Sequence, residues 1–359
     1  MNKIGSEITN LSQCKYTTGI QRVMVETHKH LSNILLEDEI LLGVSSEPEL
    51  YSNNYRKNSY LATDPTLRGN LAALSEIDTL ICLDANLILS YKNIFREREK
   101  RELKVISVIH DLIPFQFPDF FDKGEKSRLV FWRYLQAAAA LSDVLLFDTE
   151  AVKSEFLKMP ISFQGQLKSI HLGNSFYEEK LQKKQNPKIS LMYVSTIEPR
   201  KNHCLVLEAF DLLINDGYDA FLTIVGAYGW NSQSTKDEIL NHRLFGSRLI
   251  WKHNCDEEEL IDTYRSNTIS IYASKVEGFG LSIEEGLHFG HKVLVNDIPV
   301  FKERHQANLY FYDGTSLGLY NQILNVSRQG VSSLAGNKIR SMKDYAIDLL
   351  DVIRSLNGK

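Results

Sequence analysis

The chain has 359 residues, of which 43% are hydrophobic and 24% charged, and its net charge is −4. That length favours two domains of roughly 150–200 residues over a single core. The composition excludes a disordered or fibrous chain, and the mildly acidic balance lacks the basic footprint of a nucleic-acid binder.

No apolar run approaches ~18 residues, so no segment is predicted to span a bilayer. The N-terminal MNKIGSEITN lacks the apolar stretch of a signal peptide. The four cysteines, Cys14, Cys82, Cys204 and Cys255, have neither zinc nor redox spacing and suit reduced thiols. A cytoplasmic protein is expected.

Short apolar runs alternate with longer amphipathic stretches, the rhythm of an α/β chain with parallel strands. A short polar strand is predicted first, then the turn TTGIQR at 17–22 and a helix over 20–36. Gly19 before a helix N-terminus suits close approach to a phosphate or sugar, although an ordinary strand–helix turn gives the same pattern. Further strands are predicted at 40–44, 79–83, 105–109, 144–147 and 169–172, with helices at 86–103, 125–140 and 149–158. Asp148 or Thr149 would cap the last of these.

His110 and Asp111 end the run VISVIH. A polar pair at the end of a hydrophobic strand faces the ligand side of such a sheet. A semi-buried histidine beside a capping aspartate is the equal alternative. The LIPFQFPDFF that follows reads as a packing loop. The stretch 92–104 mixes Arg and Lys with Glu at helical spacing. It reads as a solvated face, and contact with anionic lipid headgroups is the second reading.

At 178–188 the sequence EEKLQKKQNPK reads as a linker. A second series of strands follows at 189–194, 220–225, 249–251, 268–272, 292–295 and 309–312. Its helices are predicted at 203–215, 234–245, 257–265, 282–290, 299–305 and 315–326. A final helix near 337–356 would leave this second domain and pack on the first. The expected organisation is residues 1–180, 189–336 and 337–359: two doubly wound domains facing a central cleft, with ligands beyond the carboxyl ends of the strands.

The most informative stretch is 277–290, EGFGLSIEEGLHFG. Gly278 and Gly280 let backbone approach a ligand, and the N–H groups of Leu281, Ser282 and Ile283 would open a helix toward an anion. Glu277 and Glu285 flank that turn and could grip hydroxyls on either side of the anion. Hydroxyl, phosphate, hydroxyl is the layout of a sugar nucleotide. In STIEPRKN, 195–202, Arg200 and Lys201 follow a strand and could neutralise a diphosphate leaving group. Alone, such a pair would be a solvated turn; the 277–290 segment reverses that reading. Gly226 ends one strand, and His253 and Asn254 follow another, where a nucleobase pocket could be walled. His288 and His291 have no third ligand at metal spacing and are expected to be structural.

Taken together, these segments resemble a retaining GT-B glycosyltransferase of family 4, the glycosyl transferases group 1. Residues 277–285 look like that family's E-x7-E element, 195–210 its phosphate-binding turn and helix, 108–121 its His-Asp loop, and 18–31 its first acceptor-domain helix. The base pocket falls at 225–226 and 249–264. The resemblance implies GT-B architecture with two Rossmann-like domains and a C-terminal helix crossing back to the first. It implies transfer of a hexose from a nucleoside diphosphate, GDP- or UDP-linked, to a glycan or lipid-linked acceptor.

The family's roles would fall as follows. Arg200 and Lys201 clamp the diphosphate. Glu277 lies beside the donor sugar, and Glu285 bonds the ribose hydroxyls. The amides of Phe279, Gly280, Leu281 and Ser282 touch sugar and phosphate. His110 lies at the sugar, with Asp111 beside it, and Gly19 faces the phosphates. No metal and no other cofactor is expected, because Arg, Lys and a helix N-terminus supply the positive charge. The departures are Ser282 where proline is frequent, the added carboxylate Glu284, and Gly286 where alanine is usual. A second glycine before Gly19 is missing, and Met342 lies near a position where tryptophan is frequent. A role in surface polysaccharide synthesis at the inner face of a membrane follows by analogy. The alternatives are a sugar-nucleotide epimerase or a phosphorylase of the same architecture, and a non-catalytic sugar-nucleotide-binding partner.

Overall fold

The computed structural model describes residues 2–7, 19–44, 74–84, 91–177, 179, 189–329 and 339–358. The chain forms two compact units. One gathers Met1–Phe115, Leu129–Ser175 and Arg340–Lys359; the other gathers Gln116–Arg128 and Phe176–Ile339. The turn residues 17–18 and, apart from Glu179, the stretch read as a linker lie outside the described residues.

The first unit is built on six parallel strands: β1 (Asn2–Glu7), β2 (Glu39–Val44), β3 (Thr79–Cys82), β4 (Lys104–Ile109), β5 (Val144–Phe147) and β6 (Gln166–Ser169). Their order is β2-β1-β3-β4-β5-β6, every pair parallel. β3 and β5 are buried throughout, and β4 from Val105 onward. Burial on both faces is why these strands read as unbroken apolar runs. The helices are α1 (Gly19–Ile34), α2 (Tyr91–Lys100), α3 (Ile113–Gln116), α4 (Glu125–Leu141) and α5 (Glu150–Leu157), of which Gln116 and the first turn of α4, Glu125–Arg128, are grouped with the other unit. α1 buries Met24, Thr27, His28 and Leu31, one helical stripe. Thr149 caps α5, its hydroxyl accepting from Val152 N at 3.3 Å.

One strand differs from the sequence reading. β6 runs over Gln166–Ser169, not 169–172, with Val144 opposite Gln166 and Phe147 opposite Ser169. As an edge strand with one neighbour it tolerates polar residues. The apolar Ile170 and Leu172 are buried past its end, so hydrophobicity marked burial there and not the ladder. The aromatic loop also has more structure than expected, with α3 and a 3-10 turn at Pro118–Phe120.

The second unit has strands β7 (Ile189–Val194), β8 (Ala220–Val225), β9 (Leu249–Lys252), β10 (Ile269–Tyr272), β11 (Lys292–Asn296) and β12 (Leu309–Tyr312), in the order β12-β11-β10-β7-β8-β9. The chain winds outward from β7 to β9, then returns to β7's other side with β10 and winds out to β12. The topological switch point therefore lies between β7 and β10, where parallel open sheets leave a crevice at the strands' carboxyl ends. The helices are α6 (His203–Asn215), α7 (Gln233–Leu240), α8 (Glu257–Ser266), α9 (Leu281–His288), α10 (Pro299–Lys302) and α11 (Ser316–Arg328). α7 and α10 stop short of the predicted 245 and 305.

The final helix, α12 (Met342–Leu356), packs on α1 within the first unit. A capping box of Ser341 and Asp344 starts it. Near its end Arg354 forks onto the Glu39 carboxylate at 2.7 and 3.0 Å. Among the described residues no helix is long and apolar enough to cross a membrane.

Gly286 lies in the middle of α9. Its propensity cost of about 1 kcal/mol has a packing reason. A Cβ there would lie 2.9 Å from Ser270 Oγ and 3.2 Å from Val293 Cγ2, on β10 and β11. Gly286→Ala is therefore expected to destabilise by about 1–3 kcal/mol through overpacking, despite the better helix former. Thermal denaturation tests this; a melting temperature at or above that of the parent would refute it.

Candidate functional site

β7 leads into the turn EPRKN. Pro199–Lys201 make one 3-10 turn, and Asn202 follows at φ +56, a conformation asparagine tolerates better than most residues. That residue redirects the chain into α6. The Lys201 N–H donates to Glu198 O at 3.0 Å, and the Tyr193 hydroxyl donates to Lys201 O at 2.5 Å. Beside it, β10 ends in a loop carrying Ser274 and Glu277. The Lys275 N–H donates to Arg200 O at 2.8 Å, so the two loops flanking the switch point are joined backbone to backbone.

The side chains complete a charge cluster. The Glu277 carboxylate accepts from Arg200 Nη1 at 2.6 Å, from Ser274 Oγ at 2.7 Å and from Lys201 Nζ. Arg200 Nη2 meets Glu198 Oε1 at 2.7 Å. Two cations thus face two buried carboxylates. Burial would raise the Glu277 pKa, but Arg200 and Lys201 outweigh it and hold it down at about 2. Burial, and then the Arg200 charge, push the Lys201 pKa below its usual value, against the pull of Glu277. His203 is buried beside Lys201, which depresses its pKa to about 3 and keeps it neutral. Its Nε2 lies 3.1 Å from Ser195 Oγ, and its ring stacks on Tyr193. Charges this desolvated act on an incoming anion with little screening.

The turn after Glu277 carries Gly280 at φ +91, which serves as the N-cap of α9 without a side-chain cap. The sequence suggested three amides open to an anion. The Ile283 N–H instead donates to Gly280 O at 3.1 Å, because the first helical turn closes on it; Leu281 and Ser282 keep the leading positions. The Ser282 carbonyl accepts from the Tyr272 hydroxyl. Glu285 is buried, and its Oε2 accepts from Tyr264 OH at 2.7 Å.

Glu284 turns the other way. It accepts from Arg304 Nε at 2.7 Å, while Arg304 Nη2 donates to Phe279 O at 2.8 Å. The guanidinium also lies 4.3 Å from the Phe279 ring centre. The added carboxylate therefore braces the 277–280 turn. His288 and His291 serve structure too. His291 lies 2.6 Å from Ser270 Oγ and donates to Tyr264 O at 2.8 Å; His288 Nε2 lies 3.2 Å from Glu179 O.

Gly226, at the end of β8, passes close over Ser195: a Cβ there would lie 2.0 Å from Ser195 O. Its N–H donates to Lys252 O at 3.0 Å, and Trp251 Nε1 donates to its carbonyl at 2.9 Å. His253 and Asn254 are exposed past the end of β9, with His253 edge-on to Trp251.

Gly19, His110 and Asp111 belong to the first unit. Gly19 is the first residue of α1. Asp111 Oδ1 accepts from Ile113 N at 2.9 Å, an Asx turn that starts α3. His110 is held where the ends of β3, β4 and β5 converge. Its Nε2 lies 2.7 Å from Leu83 O and its Nδ1 2.6 Å from Asp148 Oδ2. A carbonyl and a carboxylate both accept, so both ring nitrogens donate and the ring is an imidazolium. Burial opposes that charge, but Asp148 outweighs it and lifts the pKa to about 9.

The unfolded value is about 6.5. Stability from this pair is therefore fully present below pH ~6.5 and lost as pH rises through about 9. Denaturant titrations should show the first unit weakening across that window by on the order of 3 kcal/mol. Asp148→Asn should flatten the decline; an undiminished decline in that variant would contradict the assignment.

Several residues of this arrangement had not been singled out from sequence, among them Glu198, Ser274, Tyr264 and Arg304. Glu198 and Ser274 lie within three residues of recognised ones, so local proximity was a usable signal. Tyr264 and Arg304 reach Glu285 and Glu284 from 21 and 20 residues away, with no local pattern to mark them.

Residues 174–313 match the family described as "Glycosyl transferases group 1". The chain is 27% identical over 343 residues to the serotype-specific mannosyltransferase WbdA of Escherichia coli, covering 87% of this chain and 40% of that protein. It thus spans about two fifths of the length of that relative. Among solved structures it is similar to Anabaena Alr3699/HepE in complex with UDP and glucose, with TM-score 0.72 and 14% identity over 99% of this chain and 100% of that one. The sucrose-phosphate synthase of Thermosynechococcus elongatus gives TM-score 0.72 at 14% identity, covering both chains in full. At such identities these structures speak for the fold, and that fold is GT-B. Residues 174–313 thus match the glycosyl transferases group 1 model, and the chain as a whole has the GT-B fold.

Proposed function

We propose that the chain is a retaining glycosyltransferase that moves a hexose, mannose or glucose, from a GDP- or UDP-linked donor to a hydroxyl of a glycan or lipid-linked oligosaccharide. The observation that carries this reading is the cluster of Arg200, Lys201 and Glu277 at the switch point of the second sheet. Desolvated cations beside a helix N-terminus are what a leaving diphosphate needs. The similarity to a mannosyltransferase supports mannose, and the words "serotype-specific" in that relative's name support a surface polysaccharide. A lipid-linked acceptor would bring the protein to the inner face of a membrane.

In this mechanism Arg200 and Lys201 turn from Glu277 toward the diphosphate, joined by the leading amides of α9. The bond between the anomeric carbon and the phosphate oxygen breaks, and its electron pair stays on the phosphate. Glu277 lies beside the sugar as positive charge develops on the ring. The acceptor hydroxyl attacks from the same face, and its proton passes to the departing phosphate oxygen. No side chain becomes covalently linked. The charge otherwise supplied by a divalent ion comes from Arg200, Lys201 and the helix dipole.

A thermal-shift panel of nucleotide sugars gives the donor, because a bound ligand raises the melting temperature by mass action. Donor turnover with and without mannooligosaccharide acceptors, with NMR of the new anomeric centre, gives the reaction. An inverted linkage would remove retention from the proposal. Sugar-nucleotide isomerisation without acceptor would replace transfer by epimerisation, and binding without turnover on any acceptor would leave a binding protein.

A further inference from the structure

Tyr264 is fully buried on α8, 21 residues before the carboxylate it touches, and the proposed chemistry makes no use of it. Its hydroxyl donates to Glu285 Oε2 at 2.7 Å. Its ring is locked. It stacks on Phe289 with centroids 4.8 Å apart and planes 4° from parallel, and it sits in a cluster with Phe176, Met192 and Leu260. Its own carbonyl accepts from His291 Nε2 at 2.8 Å, and His291 is tied to Ser270 on β10. Burial, and then the Glu285 charge, hold the phenol far above its usual pKa, so it remains a donor at any working pH.

From this geometry we infer that Tyr264 is a positioning residue that fixes the Glu285 carboxylate to read the ribose of the nucleotide. The inference rests on the reading in which Glu285 bonds the ribose hydroxyls. A carboxylate has about four lone-pair sites. The phenol fixes the carboxylate's rotation by holding one of them, which sets the orientation in which the carboxylate meets a diol. Without the phenol the carboxylate would rotate, and a buried carboxylate would lose a charge-assisted bond. The consequence is selective. Discrimination between a ribonucleotide and one lacking its hydroxyls falls, while diphosphate binding through Arg200 and Lys201 stays.

The experiment is calorimetric titration of the full chain with GDP, UDP and their 2′,3′-dideoxy counterparts, using the base that binds. The quantity read is the ratio of dideoxy to ribo Kd. It is measured in the parent, in Tyr264→Phe, which keeps the stacked ring, and in Glu285→Gln. The parent is expected to favour the ribonucleotide at least tenfold. Tyr264→Phe should shrink that ratio several-fold with the dideoxy Kd nearly unchanged, and Glu285→Gln should bring it close to one. General loosening of the fold would weaken both ligands together and leave the ratio intact. An intact ratio in Tyr264→Phe beside a collapsed one in Glu285→Gln overturns the role of Tyr264 and leaves the ribose reading standing. An intact ratio in both variants overturns the ribose reading itself.

Discussion

Lys201→Ala is expected to lower kcat by about 10²–10³-fold, the usual effect of removing one charge-stabilising donor from a desolvated site. The loss should fall on kcat and kcat/KM alike, since the interaction matters most when the diphosphate takes its full leaving-group charge. The fold should survive. Glu277 keeps Arg200 at 2.6 Å and Ser274 at 2.7 Å, so its carboxylate is not left buried and alone. Arg200→Ala makes the instructive contrast. It would leave two buried carboxylates, Glu198 and Glu277, with Lys201 as the remaining cation of the cluster, so its loss of stability should be the larger. Steady-state kinetics beside a melting curve separates these effects. A Lys201→Ala protein that is folded and turns over at near the parent rate would remove the diphosphate clamp from the mechanism.

Where each element could be read from sequence depended on how local its cause was. β3, β4, β5 and β7 were visible as apolar runs because parallel strands covered on both faces admit little else. β6 was misplaced because an edge strand is defined by its partner β5, and no composition rule marks the ladder. The start of α12 was predicted some five residues early, although Ser341 and Asp344 spell a capping box. At the site, Arg200 and Lys201 stood out only in combination with the glycine-flanked carboxylates of 277–290; alone, the pair would have read as a solvated turn. What the sequence did not carry was orientation. Neighbouring Glu284 and Glu285 differ by about 100° around α9, which sends one to Arg304 and the other to Tyr264. The E-x7-E resemblance had already set Glu285 apart from Glu284; the packed structure adds that Glu284 is the brace and that Tyr264 holds Glu285.

That separation predicts an unusual order of stabilities at the Glu284–Arg304 pair. Its side chains are 6% and 3% exposed, and removing one member of so buried a pair costs about 3–5 kcal/mol, because the other charge is stranded. Arg304→Leu should therefore lower the melting temperature by roughly 10 °C or more for a domain of this size. Glu284→Leu should do nearly the same, since the guanidinium loses its counter-charge but keeps Phe279 O and Val300 O. The double variant, with leucine at both positions, should be more stable than either single one, because no charge is left behind. It should still fall short of the parent, for two buried carbonyls lose their donor at about 1–3 kcal/mol each. Activity should not follow stability. Arg304 helps to tie Phe279 O and the Phe279 ring to the rest of the unit, so the double variant regains folding while the 277–280 turn is held less firmly and kcat stays low. Calorimetric melting and kinetics on the three variants decide it. Additive losses, with the double variant the least stable, would show that the pair acts as two independent packing groups and not as a brace.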